Sequence, residues 1–266
     1  MPGNRHKKMS FVHHRQLGGG QPLVLIHGFC ETHEIWDDLT PALARNFAVF
    51  TPDLPGFGQS QSLHKNFTID DVADAMFKWL YSTIESPAVI IGHSLGGYVA
   101  MAMAVKNAAA CAGVGLFHST AAADSDEKKQ NRNKSIEFVK TNGVKPFVDV
   151  FVPGLFHQKD NPKIARVHQI ALGTPLNTLV GYSAAMRDRP SREEWLPSFR
   201  NNLLIVAGHH DSLIPIHLLK HQSTLVSKSS FFELLEVGHM GMFEAPESAI
   251  EAIRRFTFTC FEDVQR

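Results

Sequence analysis

Ile91-Gly92-His93-Ser94-Leu95-Gly96-Gly97 is the stretch whose reading decides the fold. It follows the short apolar run Ala88-Val89-Ile90-Ile91 and precedes an alanine-rich stretch, Tyr98 to Asn107, that reads as a helix. Strand, tight turn around a serine, helix is the layout of a nucleophile elbow, Gly-x-Ser-x-Gly. Such a turn lifts the serine hydroxyl clear of the sheet. It also sets the Leu95 N–H at a helix start, where a backbone donor and the positive helix end can meet an oxyanion. Small residues at 92 and 96 fit a turn with backbone passing close by. A glycine-rich strand-to-helix turn with an incidental serine has the same pattern, so the reading depends on the other strand ends.

Working outward, 266 residues with 44% apolar and 20% charged side chains suffice for one large α/β domain with a sizeable core. Lys+Arg and Asp+Glu balance at 26 each, which leaves no net-charge footprint for nucleic acid or an anionic membrane. The start, Met1 to Lys8, is basic without an apolar segment behind it, which argues against a signal peptide, and no stretch has the length of a membrane span. Cys30, Cys111 and Cys260 are far apart and odd in number, as expected of a reducing cytoplasm. The histidine doublets His13-His14 and His209-His210 lack the company of a metal motif, so neither metal nor cofactor is expected.

Strand-like and helix-like runs alternate almost throughout, the pattern of a mostly parallel sheet covered on both faces. Met9–Gln16, Pro22–Ile26, Phe47–Phe50, Ala88–Ile91, Val114–Phe117, Asn202–Gly208 and Phe231–Val237 read as strands. Thr68 to Asp71 and Ser191 to Glu194 read as capping boxes. Asp53, in a loop fixed by glycines and prolines, reads as a structural carboxylate ordering backbone N–H groups. From 121 to 190 the alternation stops. Asp124 to Lys140 is charged and helical, and Val144 to Phe151 and Ile164 to Leu172 are shorter helical patches. The expected organisation is a core of residues 1–120 and 191–266 with a helical lid, 121–190, inserted in it.

A serine hydroxyl needs a base within hydrogen-bond reach and a third group to orient that base. Asp211 and His239 each follow a strand-like run, so Ser94, Asp211 and His239 open on one sheet edge in the order expected of an α/β sheet. Asp124 is the rival acid, though it looks like a helix cap. Leu95 N–H supplies one oxyanion donor, and Phe29 N–H, in the loop after Pro22–Ile26, is expected to supply the second. His93 packs or hydrogen-bonds beneath the turn, His118 is a candidate pocket liner, and Cys30 a pocket-wall residue.

Taken together, His27-Gly28-Phe29, Asp53 to Ser60, Gly92 to Gly97, Gly208-x-x-Asp211-x-x-x-Pro215 and Gly238-His239 resemble the α/β-hydrolase superfamily. The similarity is to its capped esterase, enol-lactonase and C–C hydrolase members. It implies an α/β-hydrolase fold with a mostly parallel sheet of eight strands, or seven where the first is missing, and a helical cap after the sixth. The implied activity is hydrolysis of a small, mostly uncharged carboxylic ester or lactone through an acyl-enzyme. C–C bond hydrolysis, lyase or cofactor-free peroxidase chemistry, or a ligand receptor with a slow hydrolase site, are alternatives on the same fold. The only implied partner is the small molecule, on a monomer or homodimer. Of the apolar lid residues Phe147, Val148, Phe151, Val152, Leu155 and Phe156, most are expected to pack the lid onto the sheet and some to face the pocket. No charge cluster dedicated to an acid group is evident, with Arg187 and Arg189 as the cations to watch.

Overall fold

A computed structural model describes residues 12–63 and 66–264. The basic start and the Met9–Phe11 part of the first expected strand lie outside the described residues. The strands are β1 (His14–Leu17), β2 (Pro22–Ile26), β3 (Ala48–Pro52), β4 (Ala88–His93), β5 (Cys111–Phe117), β6 (Asn202–Gly208) and β7 (Ser229–Leu234). They form one seven-stranded sheet in the order β1-β3-β2-β4-β5-β6-β7. All neighbours are parallel except β1, which pairs antiparallel with β3. β2, β4 and β5 are buried along their whole length, as continuous apolar runs covered on both faces should be.

The helices are α1 (Thr40–Leu43), α2 (Ile69–Thr83), α3 (Leu95–Lys106), α4 (Asp126–Asn142), α5 (Val144–Leu155), α6 (Lys163–Leu172), α7 (Leu176–Asp188), α8 (Ile216–Thr224), α9 (Gly241–Glu244) and α10 (Pro246–Val264). α2 buries one stripe and starts at the expected capping box, with Thr68 and Asp71 bonding each other's backbone N–H. α3 is buried from Leu95 to Ala104 on every side, which its alanines and glycines permit.

Three local expectations change. Ser191 to Glu194 is not a capping box: Arg192 is the cap residue and its side chain makes no cap bond. The Ser191 hydroxyl instead accepts the Glu193 N–H at 3.3 Å, two residues on. The last strand starts and ends earlier than Phe231–Val237, because Glu236 to Gly238 are needed for the turn to His239. Finally, α7 falls where no helix is evident in the sequence. Its polar Asn177, Thr178 and Ser183 mask the stripe formed by Leu179, Tyr182 and Met186.

Topology fixes where a ligand would bind. From β2 the chain moves out to β3, and from β4 it moves the other way to β5, although β2 and β4 are neighbours. The two loops leaving this pair diverge and open a crevice at the carboxyl edge. The helices α4 to α7 all lie between β5 and β6 in the chain. α7 is attached to the loop after β3, where Tyr182 Oη donates to Pro55 O at 2.9 Å and Thr178 Oγ1 to Gly56 O at 3.1 Å. α6 reaches the residues after β2 through Arg166–Asp37 at 2.7 Å and Lys163–Asp38 at 2.6 Å. The end of α5 meets the loop after β7, where His239 N–H donates to Leu155 O at 2.7 Å.

Candidate active site

Ser94 sits between β4 and α3 at φ 49° and ψ −113°, a left-handed backbone that a serine adopts only under constraint. The constraint is visible. Ser94 N–H donates to Phe117 O at 2.9 Å, and Ser119 Oγ donates to Ser94 O at 2.7 Å. The turn closes so tightly that a Cβ on Gly92 would lie 2.1 Å from the Gly96 carbonyl carbon, and one on Gly96 2.5 Å from Ile26 O. Leu95 begins α3, so its N–H is one of the donors a helix start leaves unpaired.

The imidazole and the acid come from the two far strands. Asp211, after β6, is pinned by its own loop: Oδ1 accepts the N–H groups of Leu213 at 2.8 Å and Ile214 at 3.0 Å. Its Oδ2 lies 2.7 Å from His239 Nδ1, in the turn after β7. Burial alone would raise the Asp211 pKa, but the facing histidines outweigh it and hold the carboxyl well below the usual range. An ionised Asp211 keeps the proton on His239 Nδ1 and leaves Nε2 as the basic nitrogen. His239 also reaches the serine turn through its backbone, since His93 Nε2 lies 2.9 Å from His239 O.

Phe29 and Ser94 line one cavity of about 450 Å³. Phe147 and Phe151 of α5 complete an aromatic wall, and Phe29 packs edge-on against both rings, at 6.3 and 5.9 Å. The opposite wall is polar, because α4 presents Lys128, Asn131 and Arg132 to the same space. Asp124 and Glu127 line the same space, so the charge on the α4 side is mixed in sign. Arg187 and Arg189 do not supply that charge. Arg187 pairs with Asp188 and Asn133 on the surface, and Arg189 is buried against Asp124 at 2.8 Å. Asp124 is thus an ion-pair centre, held by Arg189 and Arg132, and Ser125 caps α4.

Other expected roles are redistributed. His118 does not line the cavity. It is fully buried behind Asp211, with Nδ1 accepting Gly208 N–H at 3.2 Å and lying 3.5 Å from Asp211 Oδ2. Burial lowers its pKa to about 4, so it is neutral at physiological pH. Cys30 is buried at φ 59° and is not part of the cavity wall; burial raises its thiol pKa far beyond the reactive range. Asp53 is structural as expected, accepting from His33 N–H and Nδ1 and from Gln59 N–H.

Ligand-type atoms of His118, Asp211 and His239 lie within 4.8 Å of one another, as do those of His13, His33 and Asp53. Protein donors already occupy both carboxylates in these two groups. The group that sequence reasoning missed is Glu31. Its carboxylate accepts Gly28 N–H at 2.5 Å and lies 2.9 Å from His93 Nδ1. An acid three residues beyond an oxyanion-loop glycine was the available signal.

A doubly wound sheet, a serine on a strained strand-to-helix turn and an acid–imidazole pair on the same edge define a hydrolase architecture. The sequence matches the model of the Alpha/beta hydrolase family over residues 23–252, and the chain belongs to that family. It is a hydrolase enzyme of the α/β class. The AB hydrolase superfamily protein YisY of Bacillus subtilis is 23% identical over 251 residues, covering 91% of this chain and 93% of the relative. A thermophilic esterase from Thermogutta terrifontis superimposes with TM-score 0.88 at 28% identity, over 94% of this chain and 93% of the other. The enol-lactonase from Burkholderia xenovorans shares the fold, with TM-score 0.84 at 19% identity, over 92% and 95% of the two chains. Among the described residues no helix is long and apolar enough to cross a membrane.

Proposed function

We propose that this chain is a serine hydrolase that cleaves a small carboxylic ester or lactone through an acyl-enzyme. The observation that carries the reading is the 2.7 Å bond from His239 Nδ1 to Asp211, made on the edge where Ser94 stands on its strained turn. Ser94 Oγ attacks the acyl carbon while His239 Nε2 takes its proton. The tetrahedral oxyanion is met by the N–H groups of Leu95 and Phe29. His239 then returns the proton to the departing alkoxide. Water, deprotonated in turn by His239, attacks the acyl-enzyme and releases the acid and Ser94. Phe147 and Phe151 support an apolar portion of substrate, and the 121–190 segment acts as a cap over it. The protein works in the cytoplasm as a monomer or homodimer, without a cofactor.

Short-chain p-nitrophenyl esters test this. Wild type is expected to turn them over, and Ser94→Ala to lose about a thousandfold or more. A fluorophosphonate should label Ser94, located by peptide mapping. Equal rates in the two proteins, or labelling elsewhere, refute the proposal. The thermophilic esterase at 28% identity supports the choice of ester substrates.

A further inference from the structure

Beneath the serine turn lies a buried group that the triad chemistry does not use. His93 is fully buried, and each of its ring nitrogens faces an acceptor at 2.9 Å: Nδ1 faces Glu31 Oε2 and Nε2 faces His239 O. A neutral imidazole has one N–H, whereas an imidazolium donates both bonds. Glu31, itself buried, supplies the balancing charge. Its Oε2 also takes Gly28 N–H, the amide just before Phe29. The packing leaves no slack, since a Cβ on Gly28 would lie 2.7 Å from Glu31 Oε2 and 2.8 Å from His93 Nδ1. One ion pair therefore ties together the loop after β2, the end of β4 and the turn after β7.

Resting on the serine-hydrolase reading above, we infer that Glu31 is a positioning residue. Paired with His93, it locks the Phe29 loop and the His239 turn onto the serine elbow and keeps a positive charge beneath His239. The two imidazoles are 4.9 Å apart between ring centroids, while Glu31 sits on the far side of His93. A cation on His93 is therefore nearer to the His239 ring than the Glu31 carboxylate is. Asp211 adds its attraction to that of Glu31 on His93, and His118, at 6.1 Å, is neutral; Trp36 and Phe117 close the remaining sides with apolar rings. His27 acts on Glu31 and on Asp53. Burial opposes charge on both partners, yet their mutual attraction raises the His93 pKa and lowers that of Glu31.

Glu31→Gln removes the charge while keeping a donor for a neutral His93 Nδ1. Histidine ¹⁵N NMR on wild type is expected to show His93 doubly protonated at pH 7.5, and neutral in E31Q. The His239 titration should move up by about half to one pH unit in E31Q. The acidic limb of the ester pH–rate profile should follow it, with kcat down about tenfold at neutral pH and KM within about threefold. A neutral His93 in wild type overturns the inference without any variant. So does an unmoved His239 titration, whatever the activity. If His239 shifts as expected while Ser94→Ala leaves turnover intact, the charge coupling stands and the hydrolase reading falls.

Discussion

Two buried aspartates, Asp124 in the loop after β5 and Asp211 in the loop after β6, sit one strand apart and do opposite work. Asp124 faces guanidiniums, Arg132 and Arg189, and Arg189 in turn lies over the Tyr98 ring at 3.8 Å. Asp211 faces imidazoles, His239 at 2.7 Å and His118 at 3.5 Å. Both carboxyls are held below their ordinary pKa by these partners against the opposing effect of burial. The difference lies in what the partner can do. A guanidinium keeps its proton at any working pH, so the Asp124 cluster exchanges no proton with a neighbour. An imidazole gains and loses a proton near neutrality, so the Asp211 pair can take part in chemistry. On the proposed function, the identity of the base partner separates a structural brace from a group able to pass a proton.

The largest test of that contrast is Asp211→Asn. It is expected to cut kcat by about 10⁴-fold, as in a triad whose histidine is held in the wrong tautomer. Equal loss of activity in Asp124→Asn would erase the distinction. Asp124→Asn should instead lower stability by about 3 kcal/mol, because Arg189, 5% exposed, loses its buried counter-charge. In calorimetry that appears as a Tm drop of about 5–10 °C.

A pH experiment sharpens the same comparison from the histidine side. His118 has a folded pKa of about 4, below the unfolded value of about 6.5. Between these values the unfolded chain binds the extra proton, so stability rises with pH and is lost as pH falls from about 6.5 to 4. The window corresponds to at most about 3 kcal/mol. Urea unfolding at pH 4.5 and 6.5 should show this slope, and His118→Asn should flatten it; an equal slope in the variant removes His118 as its source. The smallest effect is Ser125→Ala. It deletes the α4 cap bond to Lys128 N–H, 3.3 Å, and should cost about 1 kcal/mol in the unfolding midpoint.

Much of the fold was legible in sequence for a physical reason. Strands buried on both faces must be apolar throughout, so Pro22–Ile26 and Asn202–Gly208 announce themselves, and the loops leaving their carboxyl ends open on one edge. The placement of Ser94, Asp211 and His239 after β4, β6 and β7 was readable because each follows an apolar run whose carboxyl end opens on that edge. The α4–α7 stretch was not, since its helices bury short stripes against one another and α7 hides its stripe among polar residues. Pairings between distant residues leave no local signal. Arg192 bonds Asp70, and Glu31 bonds His93, each across a long reach of chain that periodicity cannot encode.

The attachments of the α4–α7 helices differ in kind, and solvent can tell them apart. α6 is fastened by Arg166 and Lys163 to Asp37 and Asp38, ion pairs about one-third exposed. Dissolved salt screens such pairs within about 8 Å at physiological strength and more tightly above it. The end of α5 is fastened by backbone N–H donors: His239 N–H donates to Leu155 O, and the N–H groups of His157, Gln158 and Gly238 donate to the Glu244 carboxylate. Neutral donors of that kind respond little to ionic strength. Salt is therefore expected to loosen the α6 margin of the helical segment and to leave fast the α5 margin, which carries Phe147 and Phe151 beside Ser94.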